Sequence, residues 1–384
     1  MKRTAWIVLL AGLSALMVTG CQQGASSVST TPSSVSTKPT AEAGAVSGAS
    51  NKSGSNQAAA TPAVFTQEEA GIKIRVDMPE IKTFLQKANQ GPIVPALKQN
   101  AIPQGIAYLE DLKWILVSYY REDGKPSLLT VIDAGTGKMV KALELYKSDG
   151  TPYKGHAGGI TASRKHIWIS SEQDVNFFNT EDIQKADNSK LTFKGSVKND
   201  TRASFTTYAD GVLWIGEFAQ GTDYPTDKSH YMTNRDDKEH RAWAVGYKLD
   251  AETDLPVAKE QGPTPAVPDY IMSLPGSIQG MFVTKDGIWL SQSSGRNNAS
   301  TLHRFVNSMT VDKPHTTVSV RGKDVPVWFL DSKSLKSKME APPMSEGLFE
   351  TNGQLYILFE SGATKYKTSS SYALDRIQVL PLHE

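Results

Sequence analysis

The chain has 384 residues, 39% hydrophobic and 21% charged, with 41 basic side chains against 40 acidic ones. That length and apolar content can bury a sizeable core, and the near-neutral balance gives no electrostatic case for nucleic acid as a partner. The single cysteine, Cys21, excludes an internal disulfide, a thiol nucleophile or a cysteine-based metal site in the folded part.

Lys2 and Arg3 form a positive n-region, and Ala5 to Met17 an apolar h-region of 13 residues, too short to span a bilayer. It runs into Val18-Thr19-Gly20-Cys21. This resembles a bacterial lipobox: an aliphatic residue, a small one, Gly or Ala, then Cys. The resemblance implies a lipoprotein signal peptide over 1–20, removed after Gly20, and lipidation of Cys21 with diacylglyceryl and palmitate-type chains. It also implies anchoring to the cell membrane on the extracytoplasmic side. A thiolate is the nucleophile such a thioether requires, and two or more acyl chains anchor stably where one is marginal. Residues 22–64 are dominated by Ser, Thr, Ala and Gly and lack any aromatic. Such a stretch buries too little apolar surface to fold. With Cys21 it makes a disordered tether over 21–64, reaching on the order of 35 Å, and leaves 65–384 as the folded domain.

Gly71 to Asp77 alternates as a strand would, and Ile81, Leu85 and Ala88 suggest a short helix after it. From there one pattern recurs five times. A small residue opens each copy, at Gly105, Gly159, Ser204, Gly280 and Gly347, and an aromatic follows, at Trp114, Trp168, Trp214, Trp289 and Tyr356. The spacing is nine residues in four copies and ten from Ser204 to Trp214. Asp210-Gly211, Asp286-Gly287 and Asn352-Gly353 fall between, and such pairs favour two-residue hairpin turns. A second hairpin signal follows in most copies, an apolar run closed by Asp133, Asn179, Asp250 or Asp331, with Thr136, Asp182, Thr253 or Ser334 three residues on. Recurring tryptophans at this spacing read as packing within the sheets rather than as sugar platforms.

Two hairpins per copy make a four-stranded antiparallel sheet, and five such sheets in series make the domain an all-β, β-propeller fold. The last copy lacks an outer strand, which the N-terminal strand Gly71 to Asp77 would supply, closing the last blade and removing an exposed edge. A sixth, degenerate blade over 80–100 is the alternative. The repeat grammar of 65–384, including His156-Ala157-Gly158-Gly159-Ile160 and Ser345-Glu346-Gly347, resembles secreted bacterial propellers of the lactonase-like, NHL and quinoprotein-like group. No specific enzyme family is matched.

In a propeller the starts of first strands and the ends of second strands share one face around the central channel. First-strand starts gather Gln104, His156, Arg202, Gln279 and Glu346; second-strand ends gather Ser118, Glu172, Glu217, Gln292 and Glu360. Four carboxylates, a histidine and an arginine on one rim can bind a cation, hold a polar ligand or perform acid–base work. The plainer reading is a rim of polar groups that satisfy one another. Loops at 219–242 and 293–298 would stand on the same face, where long loops on rigid scaffolds often carry function. No His-Glu-x-x-His helix and no nucleophile elbow is present.

The expected function is a lipid-anchored extracytoplasmic propeller that binds a ligand or protein partner in the bacterial envelope through this rim. The alternative is a calcium-dependent, lactonase-like hydrolase with Glu172, Glu217, Glu346 and Glu360 as candidate metal ligands. A third reading is an assembly factor that uses the propeller's side or bottom.

Overall fold

A computed structural model of the chain describes residues 76–187, 189–260 and 262–382. The signal segment, Cys21, the tether and 71–75 of the expected closing strand lie outside them. Five hairpins follow the repeated spacing. Their first strands are Ala101–Leu109, Ile160–Ala162, the later part of Gly195–Ala209, Ile278–Val283 and Ser345–Thr351. Their second strands are Trp114–Arg121, His166–Asn179, Val212–Glu217, Ile288–Gln292 and Gln354–Phe359, each antiparallel to its first.

The five first strands touch in cyclic order, each beside the next and the fifth beside the first. This is a propeller-like arrangement, and the repeated small residue is what permits it. A Cβ added to Gly105 would stand 2.7 Å from the Cα of Gly159, one on Gly159 2.5 Å from that of Phe205, and one on Gly347 3.1 Å from that of Gly105. Neighbouring backbones approach too closely for a side chain between them. Serines in the second strands stitch the same contacts. Ser118 Oγ donates to the Gly158 carbonyl at 2.5 Å, Ser170 Oγ to that of Ser204 at 2.9 Å, and the Ser291 and Ser345 hydroxyls meet at 2.6 Å.

The apolar residues fill the spaces between successive sheets. Leu116, Leu129 and Val131 of the first unit pack with Ile160, Ile167 and Ile169 of the second. Trp168 and Val175 meet Leu213 and Ile215; Trp214 and Phe205 meet Met281 and Leu290; Trp289 and Leu302 meet Leu348 and Ile357. The fifth space holds Ile106 and Val117 with Phe349 and Leu358. Trp168, Trp214 and Trp289 are buried, each held between sheets.

Several expectations are corrected. The strand that pairs outside Arg376–Pro381 is Asn89–Ile93, while Val76 and Asp77 belong to no strand. Alternation in Gly71 to Asp77 is the stronger strand signal, yet the observed strand contains Gly91 and Pro92. An edge position tolerates proline, and Gly91 admits the Ile377 carbonyl, which would lie 2.9 Å from a Cβ. The region 80–100 supplies a short helical segment, Pro79–Ile81 then Lys82–Lys87, and this outer strand. Its buried face is Ile81 and Phe84, with Leu85 exposed. The first, fourth and fifth units form sheets of their own, the first with an added parallel strand, Lys190–Thr192. The second and third share one eight-stranded sheet, because His166–Asn179 and Gly195–Ala209 are long enough to pair in both. Asn179 and Asp182 form a helix capping box instead of a turn. Asp210-Gly211 and Asn352-Gly353 have the positive φ of a type I′ turn; Asp286-Gly287 does not, and Thr284 closes that loop by bonding Gly287. Among the described residues no helix is long and apolar enough to cross a membrane.

Candidate ligand-binding site at the mouth of the ring

The first strands slip register where the sequence places its rim residues. The shifts fall between Pro103 and Gly105, at Ser204, between Ile278 and Gly280, and between Ser345 and Leu348. A bulge leaves a residue unpaired and re-aims its side chain. The residues so released include Gln104, Gln279 and Glu346. Glu172 sits at a similar shift with φ +54°, a left-handed backbone uncommon for a non-glycine residue.

A cavity of about 560 Å³ opens there, lined by Gln104, His156, Glu172, Arg202, Gln279, Glu346 and Glu360 among others. Five of these join in one hydrogen-bonded chain. Gln104 Nε2 donates to Glu360 Oε2 at 3.0 Å and to the Pro103 carbonyl at 2.9 Å. Its Oε1 must therefore accept, and His156 Nε2 donates to it at 2.9 Å. Glu360 and Glu346 hydrogen-bond each other, and Gln279 Nε2 donates to Glu346 Oε1 at 3.1 Å. The chain His156–Gln104–Glu360–Glu346–Gln279 thus links four of the five units.

Its electrostatics follow from burial. Glu346 is 2% exposed and Glu360 8%. Desolvation pushes both carboxyls up, Glu346 further through the neighbouring Glu360, and Glu360 to about 8 even though Gln104 and Lys365 pull it down. Glu360 therefore keeps its proton at neutral pH, with the Glu346 carboxyl raised beside it. Desolvation of the ring by the groups around it, helped by Arg202 and Lys365, brings His156 down to about 4 although the residue keeps an exposed edge, so it is neutral. With Nε2 carrying the proton, His156 Nδ1 is an acceptor with no bonded partner among the described residues.

Glu217 and Gln292 are not among the cavity's lining residues. The Glu217 carboxylate accepts from His230 Nδ1 at 2.9 and 3.0 Å and from the Trp243 amide at 2.9 Å. Gln292 bonds the Gly276 carbonyl at 2.7 Å and His303 at 2.9 Å. Strand alternation supplies the reason: Glu172 and Glu360 come four residues after their aromatic, whereas Glu217 and Gln292 come three after theirs, on the opposite face. The extra residue between Ser204 and Trp214 is absorbed as a bulge in the first strand, so the parity of Glu217 is not reset. Of the four candidate metal ligands, Glu346 and Glu360 adjoin and Glu172 shares their cavity. Among the described residues no three His, Cys, Asp or Glu side chains gather closely enough to hold a metal ion.

The structure adds residues that the sequence reading passed over. Tyr120, Phe218, Lys365 and Tyr366 line the cavity. Tyr120 stacks on His156 with ring centres 4.5 Å apart and meets the Tyr366 hydroxyl at 3.2 Å. Lys365 bonds Glu122 and the Tyr120 hydroxyl. Tyr120 lies two residues beyond Ser118, on the same strand face, so continuing the alternation past Ser118 would have found it. The two long loops also contribute: Arg202 lies over the Tyr224 ring at 5.2 Å, Arg296 over Tyr366 at 5.0 Å, and Gln220 bonds Ser294 at 2.5 Å.

No family model matches the chain, and no curated protein does. Among solved structures it is similar to the GH43_1 enzyme of Xanthomonas citri complexed with xylose, with 8% identity and a TM-score of 0.42 over 80% of this chain and 93% of that one. It is also similar to glutaminyl cyclase of Myxococcus xanthus, with 9% identity and a TM-score of 0.40 over 76% and 96%. A third is BamB of Moraxella catarrhalis, with 12% identity and a TM-score of 0.32 over 73% and 85%. Scores and identities this low carry no argument about the site.

Proposed function

We propose that this chain is a lipid-anchored, extracytoplasmic β-propeller of five blades, closed by Asn89–Ile93, that captures a small polar ligand of the bacterial envelope in its channel mouth. The observation that carries the binding reading is the chain from His156 to Gln279. A merely structural rim would satisfy its groups in local pairs. Here polar side chains from four units, two buried carboxyls among them, join in one chain along an open cavity and leave His156 Nδ1 without a bonded partner among the described residues, the arrangement of a binding site. The lipobox resemblance at Cys21 and the tether support placement on the outer side of the cell membrane.

The test is thermal unfolding of the mature protein over a panel of low-molecular-mass envelope compounds, wild type against Arg202→Ala/Glu346→Gln. A compound that raises the wild-type Tm and leaves the variant unmoved supports the reading. An equal shift in both places the site elsewhere. Calcium chloride belongs in the panel: a rise that Glu346→Gln and Glu360→Gln abolish would favour the calcium-dependent hydrolase instead.

A further inference from the structure

The walls of the cavity carry two kinds of chemistry. Part of the lining is directional groups: the Gln279 amide, His156 Nδ1 and the Glu346–Glu360 pair. These suit hydroxyl groups, which both donate and accept. The rest includes three cations. Lys365 is neutralised by Glu122. Arg202 and Arg296 are not neutralised: among the described residues neither guanidinium has a carboxylate partner. Arg202 rests only on the Tyr224 ring, and Arg296 on Tyr366 with one bond to the Ser369 hydroxyl at 3.2 Å.

A guanidinium held over an aromatic ring by its charge keeps its N–H donors free for a carboxylate or phosphate. The opening is also braced. The 293–298 loop is tied to the 219–242 insertion through Gln220 and Ser294, and to the segment after Phe359 through the Ser371 amide on the Arg296 carbonyl at 3.2 Å and the Ser371 hydroxyl on Asn297 at 2.8 Å. Glu172 is the one lining carboxylate without an ion-pair or hydrogen-bond partner among the described residues, so unpaired cations outnumber unpaired anions.

We infer that the ligand is an acidic sugar or similar polyhydroxylated acid, its anionic group held by Arg202 and Arg296 and its hydroxyls by the His156–Gln279 chain. The inference rests on the binding reading above and narrows it. The anion is a carboxylate or a phosphate ester, chemistries that the two arginines share.

Isothermal titration of the mature protein with four probes tests this: D-glucuronate, D-glucose 6-phosphate, D-glucose and D-glucosamine. One acidic probe should bind about tenfold or more tightly than glucose, as a charge-assisted pair requires, and which one binds separates carboxylate from phosphate. Arg202→Gln/Arg296→Gln should erase that preference and leave Tm unchanged. Glucose or glucosamine binding as tightly as both acids overturns the acidic class and leaves the cavity reading standing. Binding of none of the four overturns the sugar class, and the Glu346 variant then decides the cavity reading separately.

Discussion

The Gln104 amide donates to the Glu360 carboxyl at 3.0 Å, joining residues 256 positions apart and the first unit to the fifth. Both side chains are buried, and the same Gln104 holds His156. Gln104→Ala removes one hydrogen bond from the buried Glu360 carboxyl and the partner of His156 Nε2; the carboxyl oxygen left unmatched costs about 1–3 kcal/mol. Urea unfolding should show a loss of that order, and ligand capture should fail with it. A variant as stable as wild type would mean that water replaces the amide and that the linkage is incidental.

The contact between Gly159 and the Phe205 backbone makes a sharper test of the ring. Gly159→Ala puts a methyl 2.5 Å from the Phe205 Cα, so strands must separate, and a loss of about 1–3 kcal/mol or more is expected. Gly135→Ala, whose nearest neighbour would be a side-chain oxygen of Asp133 at 3.5 Å, should change stability little. Equal unfolding midpoints for the two variants would contradict the close packing of first strands.

These glycines show why so much of the ring was legible. A backbone approach that excludes Cβ leaves a mark at fixed spacing, and so does the aromatic nine residues on. Gln104, Gln279 and Glu346 could be named because each adjoins such a mark. Glu217 could be named but not aimed, since its partner His230 lies in an insertion that no repeat governs. Arg296 and Tyr366 approach each other across 70 positions through irregular segments, where neither period 2 nor period 3.6 constrains the chain. Asn89–Ile93 was hidden because an outer strand need not alternate, and Gly91 and Pro92 read as a turn.

Glu217 holds the insertion at 219–242 and does not line the cavity. Its carboxylate satisfies His230 and the Trp243 amide, and His230 stacks on the Trp243 ring with centres 4.1 Å apart. Glu217→Ala should strand these donors and free the insertion from the sheet. Amide hydrogen exchange across 219–242 should then rise by about tenfold or more, matching a loss of at least ~1.4 kcal/mol in local opening, while exchange in Ala101–Leu109 stays as in wild type. Unchanged exchange in the insertion would show that Arg235 on Asp331, at 2.8 Å, suffices to hold it.

The proposed anchor is separable from all of this. Cys21→Ala removes the only thiol in the chain, so the protein should move from the membrane fraction to the soluble extracytoplasmic fraction with its Tm unchanged. Retention of the variant on membranes would assign attachment to some other segment.

Stability against pH reports directly on the Glu346–Glu360 pair. Burial raises both carboxyls above the ordinary 4.5, Glu360 to about 8. Between those values the folded chain holds protons that the unfolded chain has released, so stability falls as pH rises and the full contribution is present only below about 4.5. His156 and His303 act in the opposite sense. Desolvation lowers each from 6.5 to about 4, so the unfolded chain binds more protons in that window and stability falls as pH drops through it. Comparing wild type with Glu346→Gln/Glu360→Gln cancels the histidines, because amides keep the shape and donors of protonated acids but do not titrate. The stability of wild type relative to the variant should decline by more than about 1 kcal/mol from acid to mildly alkaline pH, since one pKa unit is worth ~1.4 kcal/mol. A difference that stays flat over that range would mean that the two carboxyls are ionised in the folded protein and that the channel mouth is wetter than its burial implies.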